Sequence, residues 1–145
     1  TPNAYEEPWD AVTGSDADII NGHSGNNMFT YSYSHETGVN LTLAYINASN
    51  EVTDVSYSDI GISYTGMEGL TIKYATTDEA GTTEALSGDQ DVWNVSYAMG
   101  PITATASNSD FDVGTSTSDQ EISSYAISYT ISDSMSITYG MEEIE

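Results

Sequence analysis

Between Asp59 and Ala75 the chain reads DIGISYTGMEGLTIKYA, and its side chains alternate. Ile60, Ile62 and Tyr64 fall on one parity with Gly61 and Ser63 on the other, and Leu70, Ile72 and Tyr74 then oppose Thr71 and Lys73. A period of two puts every second side chain on the same face of a β-strand, and the Gly-bearing turn between the runs joins them into a hairpin with one apolar and one polar face. The unit recurs at a spacing of roughly 32 residues to give four hairpins, so the chain is limited to an antiparallel array of one repeated design.

The other three hairpins follow the same pattern. Phe29, Tyr31 and Tyr33 oppose Thr30, Ser32 and Ser34, HETG turns the chain, and Val39, Leu41, Leu43 and Tyr45 oppose Asn40, Thr42 and Ala44. Trp93, Val95 and Tyr97 oppose Asn94 and Ser96, AMGP turns, and Ile102, Ala104 and Ala106 oppose Thr103 and Thr105. Tyr125, Ile127 and Tyr129 oppose Ser124, Ala126 and Ser128; after a turn at Ser132 to Ser134, Met135, Ile137 and Tyr139 oppose Ser136 and Thr138. Between hairpins lie longer polar connections, at residues 47–57, 76–91 and 107–121. Strict alternation of short and long connections gathers the short turns at one end of a meander and the long ones at the other.

Ser-Tyr precedes every short turn (Ser32-Tyr33, Ser63-Tyr64, Ser96-Tyr97, Ser128-Tyr129), and three returning strands end in Tyr45, Tyr74 and Tyr139. The two Tyr sets are expected about 20 Å apart along a strand. With Trp93 they would form two aromatic girdles around an aliphatic band, the pattern of a transmembrane barrel wall. A soluble β-sandwich also alternates, with its apolar face inward. Against it stands the charge distribution: apart from Asp59 and Lys73 the strand centres carry none, whereas a solvated sandwich face carries interspersed Lys and Glu. Pairing Tyr64 with Leu70 sets Asp59 diagonal to Lys73, within reach of an ion pair on the polar face.

Composition narrows the function. One Lys, no Arg and 23 acidic residues among 145 give a formal charge of −22, which excludes the Lys- and Arg-borne phosphate contacts of nucleic-acid binding and makes cations the natural counterpart. With no Cys there is neither a disulfide framework nor a thiolate metal site. No stretch reaches the roughly 20 apolar residues of a spanning helix, but barrel strands need only about 9 to 11 alternating ones. Residues 1–27 hold two of the three prolines and no period, and read as a long acidic loop preceding four hairpins in 28–145. The chain lacks an initiator Met, so it is expected to be processed or a fragment.

The opening TPNAYEEPWD, the Ser-Tyr before each short turn and the alternating loop lengths resemble the middle of the general bacterial porins, over nearly the whole chain. The resemblance implies an all-β, antiparallel up-and-down transmembrane β-barrel, of which this chain would be about eight of 16 strands. It also implies a homotrimer in the outer membrane of a Gram-negative bacterium, with a long loop folded into the lumen. Residues 1–27 would belong to that loop, with Glu6, Glu7 and Asp10 narrowing the channel. The terminal MEEIE differs from the aromatic-ended closing strand of such proteins, which fits an internal fragment. An eight-stranded barrel closed on itself is the competing architecture. Such a barrel fills its interior with side chains, and the Ser, Thr, Ala and Gly of the inward positions would fill it poorly.

Enzyme chemistry finds no foothold. His23 and His35 have no nucleophile or further ligands beside them, Glu6 and Glu7 with Asp10 have no partner site, and no phosphate loop or zinc spacing is present. Asp110, Asp112 and Glu121 loosely match a calcium loop, but Gly114 is one position early, so a solvated acidic loop is the better reading. No cofactor is expected beyond weak Ca²⁺ or Mg²⁺ binding by the acidic loops. The expected function is passive diffusion of small hydrophilic solutes with a preference for cations. Ser32, Asn40, Thr42, Asp59, Ser63, Thr71, Lys73, Asn94, Ser96, Thr103, Ser128 and Thr138 would line water. Tyr33, Tyr45, Tyr64, Tyr74, Trp93, Tyr97, Tyr129 and Tyr139 would meet outer-membrane lipid. The alternative is a secreted acidic β-rich protein whose Tyr and Ile faces stack into fibres or a surface layer.

Overall fold

The structure, a computed structural model, describes residues 28–47, 55–81, 87–113 and 119–145. Every alternating run forms a strand: β1 (Met28–Ser34), β2 (Val39–Ile46), β3 (Val55–Tyr64), β4 (Leu70–Gly81), β5 (Gly88–Met99), β6 (Ile102–Val113), β7 (Gln120–Ser132) and β8 (Met135–Ile144). All eight lie in one sheet in chain order, each antiparallel to the next. The sandwich is thereby excluded for the described residues, because no second sheet covers either face. This is the up-and-down arrangement of a barrel wall, and the described residues contain no helix.

Three expectations need correction. The strands run well past the apolar alternation: β4 reaches Gly81, β5 starts at Gly88, β6 ends at Val113 and β7 starts at Gln120. Much of the 76–91 and 107–121 connections is therefore strand, and charge is not confined to loops. Asp and Glu have low β-propensity, but ladder pairing with neighbours carries the backbone through them. Asp110 and Asp112 stand on β6, with Asp110 opposite Glu121 of β7, a pairing that is no calcium loop.

The second correction concerns the β3–β4 hairpin. Tyr64 pairs with Ile72 rather than Leu70, which puts Asp59 opposite Thr77 and Lys73 opposite Ser63. Asp59 and Lys73 thus lie two ladder pairs further apart than a diagonal contact allows, roughly 13 Å along the strand. The cause is in the turn. The Thr65 N–H donates to Gly38 O (2.9 Å), prolonging the β2–β3 pairing, and only then does the Leu70 N–H close on Met67 O (3.0 Å) with Gly69 at φ 78°. Close packing of the first two turns enforces this path: a Cβ on Gly66 would lie 2.0 Å from Thr37 O.

Third, the aromatic rows lie closer than expected. Tyr74 sits level with Ile62, two residues from Tyr64, and Tyr45 sits level with Phe29, four residues from Tyr33. The separation is thus about 7 to 13 Å along the strand, and the outer face is one mixed aromatic and aliphatic band. On β5 that band runs from Met99 to Trp93, about 20 Å, with the first outward charge at Asp91, about 26 Å from Met99.

The two faces are filled in the opposite sense to a globular domain. Large apolar side chains are exposed: Phe29 (66%), Ile72, Trp93, Ile127 and Tyr139 (70%). Buried positions belong to the other face, where Ala44, Ala75, Val92 and Ile122 stand among Asp59, Thr77, Gln90, Asn94 and Ser124. Side chains on the inner side of a curled sheet converge and shade one another, which small residues tolerate.

Candidate functional site

The inner face is the candidate site, and the register defines its membership. Cross-strand partners share a face, so Asn40↔Ser63, Thr42↔Gly61, Ser63↔Lys73, Lys73↔Asn94 and Thr71↔Ser96 carry one surface from β2 to β5. Asn94↔Ser107, Ser107↔Ser124, Thr103↔Ser128 and Ser128↔Thr138 extend it to β8, and Ser32↔Thr42 brings in β1. All twelve residues singled out as water-lining (Ser32, Asn40, Thr42, Asp59, Ser63, Thr71, Lys73, Asn94, Ser96, Thr103, Ser128 and Thr138) fall on this one face. Glu6, Glu7, Asp10 and His23 lie outside the described residues.

Hydroxyls and amides on the wall bond across strands. Thr138 Oγ1 donates to Ser128 Oγ (3.0 Å), Thr105 Oγ1 to Ser96 Oγ (3.3 Å) and Asn40 Nδ2 to Ser63 Oγ (3.4 Å). Deeper toward the long connections, Gln90 Nε2 donates to Ser109 Oγ (2.8 Å), and Tyr57 Oη to Glu79 Oε1 (3.2 Å). Such groups hold one another in place, and each hydroxyl keeps acceptor capacity beyond the bond shown. Among the described residues the charges on this face are few: Asp59, Glu79 and Glu142 are acidic, Lys73 is basic, and Lys73 is the one Lys or Arg of the whole chain. The wall is therefore net negative.

On the outer face the aromatic residues singled out for lipid (Tyr33, Tyr45, Tyr64, Tyr74, Trp93, Tyr97, Tyr129 and Tyr139) share one surface, with Tyr74 directly opposite Trp93. Beyond them stands an acidic ladder: Asp78↔Asp89↔Asp112 and Asp91↔Asp110↔Glu121. Tyr74 Oη donates to Asp91 Oδ1, and Asn108 Nδ2 to Glu121 Oε1 (2.9 Å) and to Ser123 Oγ (3.0 Å). These few donors face many carboxylates, so like charges stand directly opposite one another in the ladder, an unfavourable arrangement. His35 is exposed in the first turn, its Nδ1 2.8 Å from Thr37 Oγ1. No group of three or more His, Asp or Glu side chains converges as a metal site among the described residues.

Thr77, Gln90 and Ser109 belong to the inner wall although the sequence reads as connection there, and Val92 stands just past the end of one. Their signal was present in GDQDVW, where Asp89, Asp91 and Trp93 alternate with Gln90 and Val92. The outward acids concealed it, because paired Asp at strand ends resemble loop sequence.

No protein-family model matches the sequence. No curated protein matches it either. Among solved structures the chain is similar to a quintuple mutant of a porin from Rhodobacter blastica, with a TM-score of 0.58 and 20% sequence identity. The match covers 81% of this chain and 40% of the other. At that identity the likeness is one of fold: the eight strands follow part of a porin barrel wall, and the chain spans less than half the length of the structure it matches.

Proposed function

We propose that this chain is part of the wall of a wide, water-filled β-barrel in the outer membrane of a Gram-negative bacterium, and that the complete barrel passes small hydrophilic solutes by passive diffusion. One observation carries the reading: the sheet exposes its Tyr, Ile and Trp side chains and turns its Ser, Thr and Asn side chains inward. In water such a face would be an aggregation surface; against hydrocarbon it is the stable arrangement, with all backbone polar groups of interior strands satisfied by the ladder. Asp59, Glu79 and Glu142 against the single Lys73 support a preference for cations. A 16-strand count and a trimeric assembly follow from the porin resemblance and belong to the same proposal. So does a narrowing of the channel by Glu6, Glu7 and Asp10.

The test is the full-length protein in a planar bilayer. Stepwise conductance with a reversal potential favouring K⁺ over Cl⁻ is expected; absence of conductance, or a protein that stays in solution without detergent, overturns the proposal. Among the described residues no strand pairs with the outer edges of β1 and β8, which favours a second reading, a secreted β-rich structural protein. Ordered filaments grown from material that never met a membrane would support it instead.

A further inference from the structure

Two side chains on the inner wall are buried without a partner for one oxygen each. Asp59 is 5% exposed and Gln90 3%, and Asp59 Oδ1 and Gln90 Oε1 accept no hydrogen bond. Both atoms are acceptors, so neither satisfies the other, and an unpaired buried oxygen carries a desolvation cost that is larger for the charged one. They stand in one cross-strand row with a hydroxyl between them: Asp59 pairs with Thr77, and Thr77 pairs with Gln90.

The Gln90 amide is fixed from the far side. Its Nε2 donates to Ser109 Oγ of β6 at 2.8 Å, which leaves Oε1 as the end of the amide without a partner. Two strand spacings separate the Cα atoms of Asp59 and Gln90 by about 10 Å. Across that span an Asp and a Gln side chain can reach toward each other over Thr77 far enough to share one hard cation, which takes oxygen ligands at about 2.3–2.6 Å. The surrounding charge has the matching sign. Glu79, held by Tyr57, is the diagonal neighbour of Asp59 on the same face, whereas Lys73 lies four residues from Thr77 along β4, about 13 Å away.

The geometry points to a binding site for a single monovalent cation of about the size of Na⁺, held on the inner wall by Asp59 Oδ1, Gln90 Oε1 and the Thr77 hydroxyl. One carboxylate with two neutral oxygens balances one positive charge, and the several carboxylates of a divalent cage are not assembled here. The inference rests on the inner face being wetted, as proposed above, but not on conduction.

The test uses the full-length protein in detergent micelles at fixed ionic strength, with NaCl exchanged for choline chloride, read by thermal unfolding and by ²³Na line width. Wild type is expected to show saturable line broadening and a Tm higher in Na⁺ by about 5 °C. Asp59→Asn should abolish both, and Thr77→Val should weaken Na⁺ binding about tenfold. Equal behaviour of wild type in Na⁺ and choline overturns the site and identifies the orphaned oxygens as hydrated. Broadening that survives in Asp59→Asn also overturns it, and so does Ca²⁺ displacing Na⁺ at micromolar concentration, the mark of a divalent site. Should Asp59→Asn fail to fold, the wild-type comparison and Thr77→Val remain decisive. Binding without conductance would leave this site standing while the transport proposal falls, and conductance without binding the reverse.

Discussion

Replacing Ile127 by Arg places a charge in the middle of the outer band. Ile127 is 52% exposed, stands between Tyr125 and Tyr129 on β7, and faces Ala104 of β6 and Tyr139 of β8. In a water-soluble sheet an Arg at a half-exposed position changes stability by no more than about 0.5 kcal/mol. On the lipid face of a barrel near the bilayer midplane the cost is about 2–4 kcal/mol, a loss of roughly 30- to 1000-fold in the folded-to-unfolded ratio. Thr103→Arg is the control: it lies on the inner face opposite Ser128, where the guanidinium remains in water, and should cost under about 1 kcal/mol. The assay is denaturant unfolding of the full-length protein in lipid vesicles, followed by tryptophan fluorescence. Equal, small effects of the two substitutions would refute the assignment of the outer face to hydrocarbon.

Further consequences follow from individual contacts. Lys73→Glu removes the one basic group on the wall and should move the reversal potential further toward cation selectivity without loss of folding. Gly69→Ala should destabilise by about 1–3 kcal/mol, because φ is 78° and the new Cβ would sit 2.2 Å from Ala98 O; Gly100→Ala, with φ 59° and open space around it, should cost only about 1–2 kcal/mol in the same unfolding assay. Asp89 stands between Asp78 and Asp112 on adjacent strands, so Asp89→Asn should raise stability by about 0.2–1 kcal/mol at low salt, with the gain shrinking toward 1 M NaCl.

Alternation made the strands and their two faces legible, because a period of two within each strand survives a register change of two residues, such as that at the second turn: the twelve polar residues read as one face do share one face. Where strands end was not legible. Asp78, Asp89, Asp91, Asp110 and Asp112 look like loop residues one by one, and only pairing with neighbouring strands keeps them extended. Register depends on turn length, and the Thr65 to Gly38 bond that lengthens the second turn joins residues 27 apart in sequence. For the same reason the environment of Asp59 is not legible in the sequence: its neighbour is Thr77, and beyond that Gln90, in a stretch that reads as a connection.

The central claim is that alternate residues of these strands face lipid and water. The chain contains no cysteine, so single-cysteine variants along β7 report one position each when the full-length protein, with any cysteine elsewhere replaced by serine, meets a membrane-impermeant thiol reagent in lipid vesicles. Ala126→Cys and Ser128→Cys should react, and Tyr125→Cys, Ile127→Cys and Tyr129→Cys should stay protected. The reverse alternation, or uniform reactivity along the strand, would contradict the account.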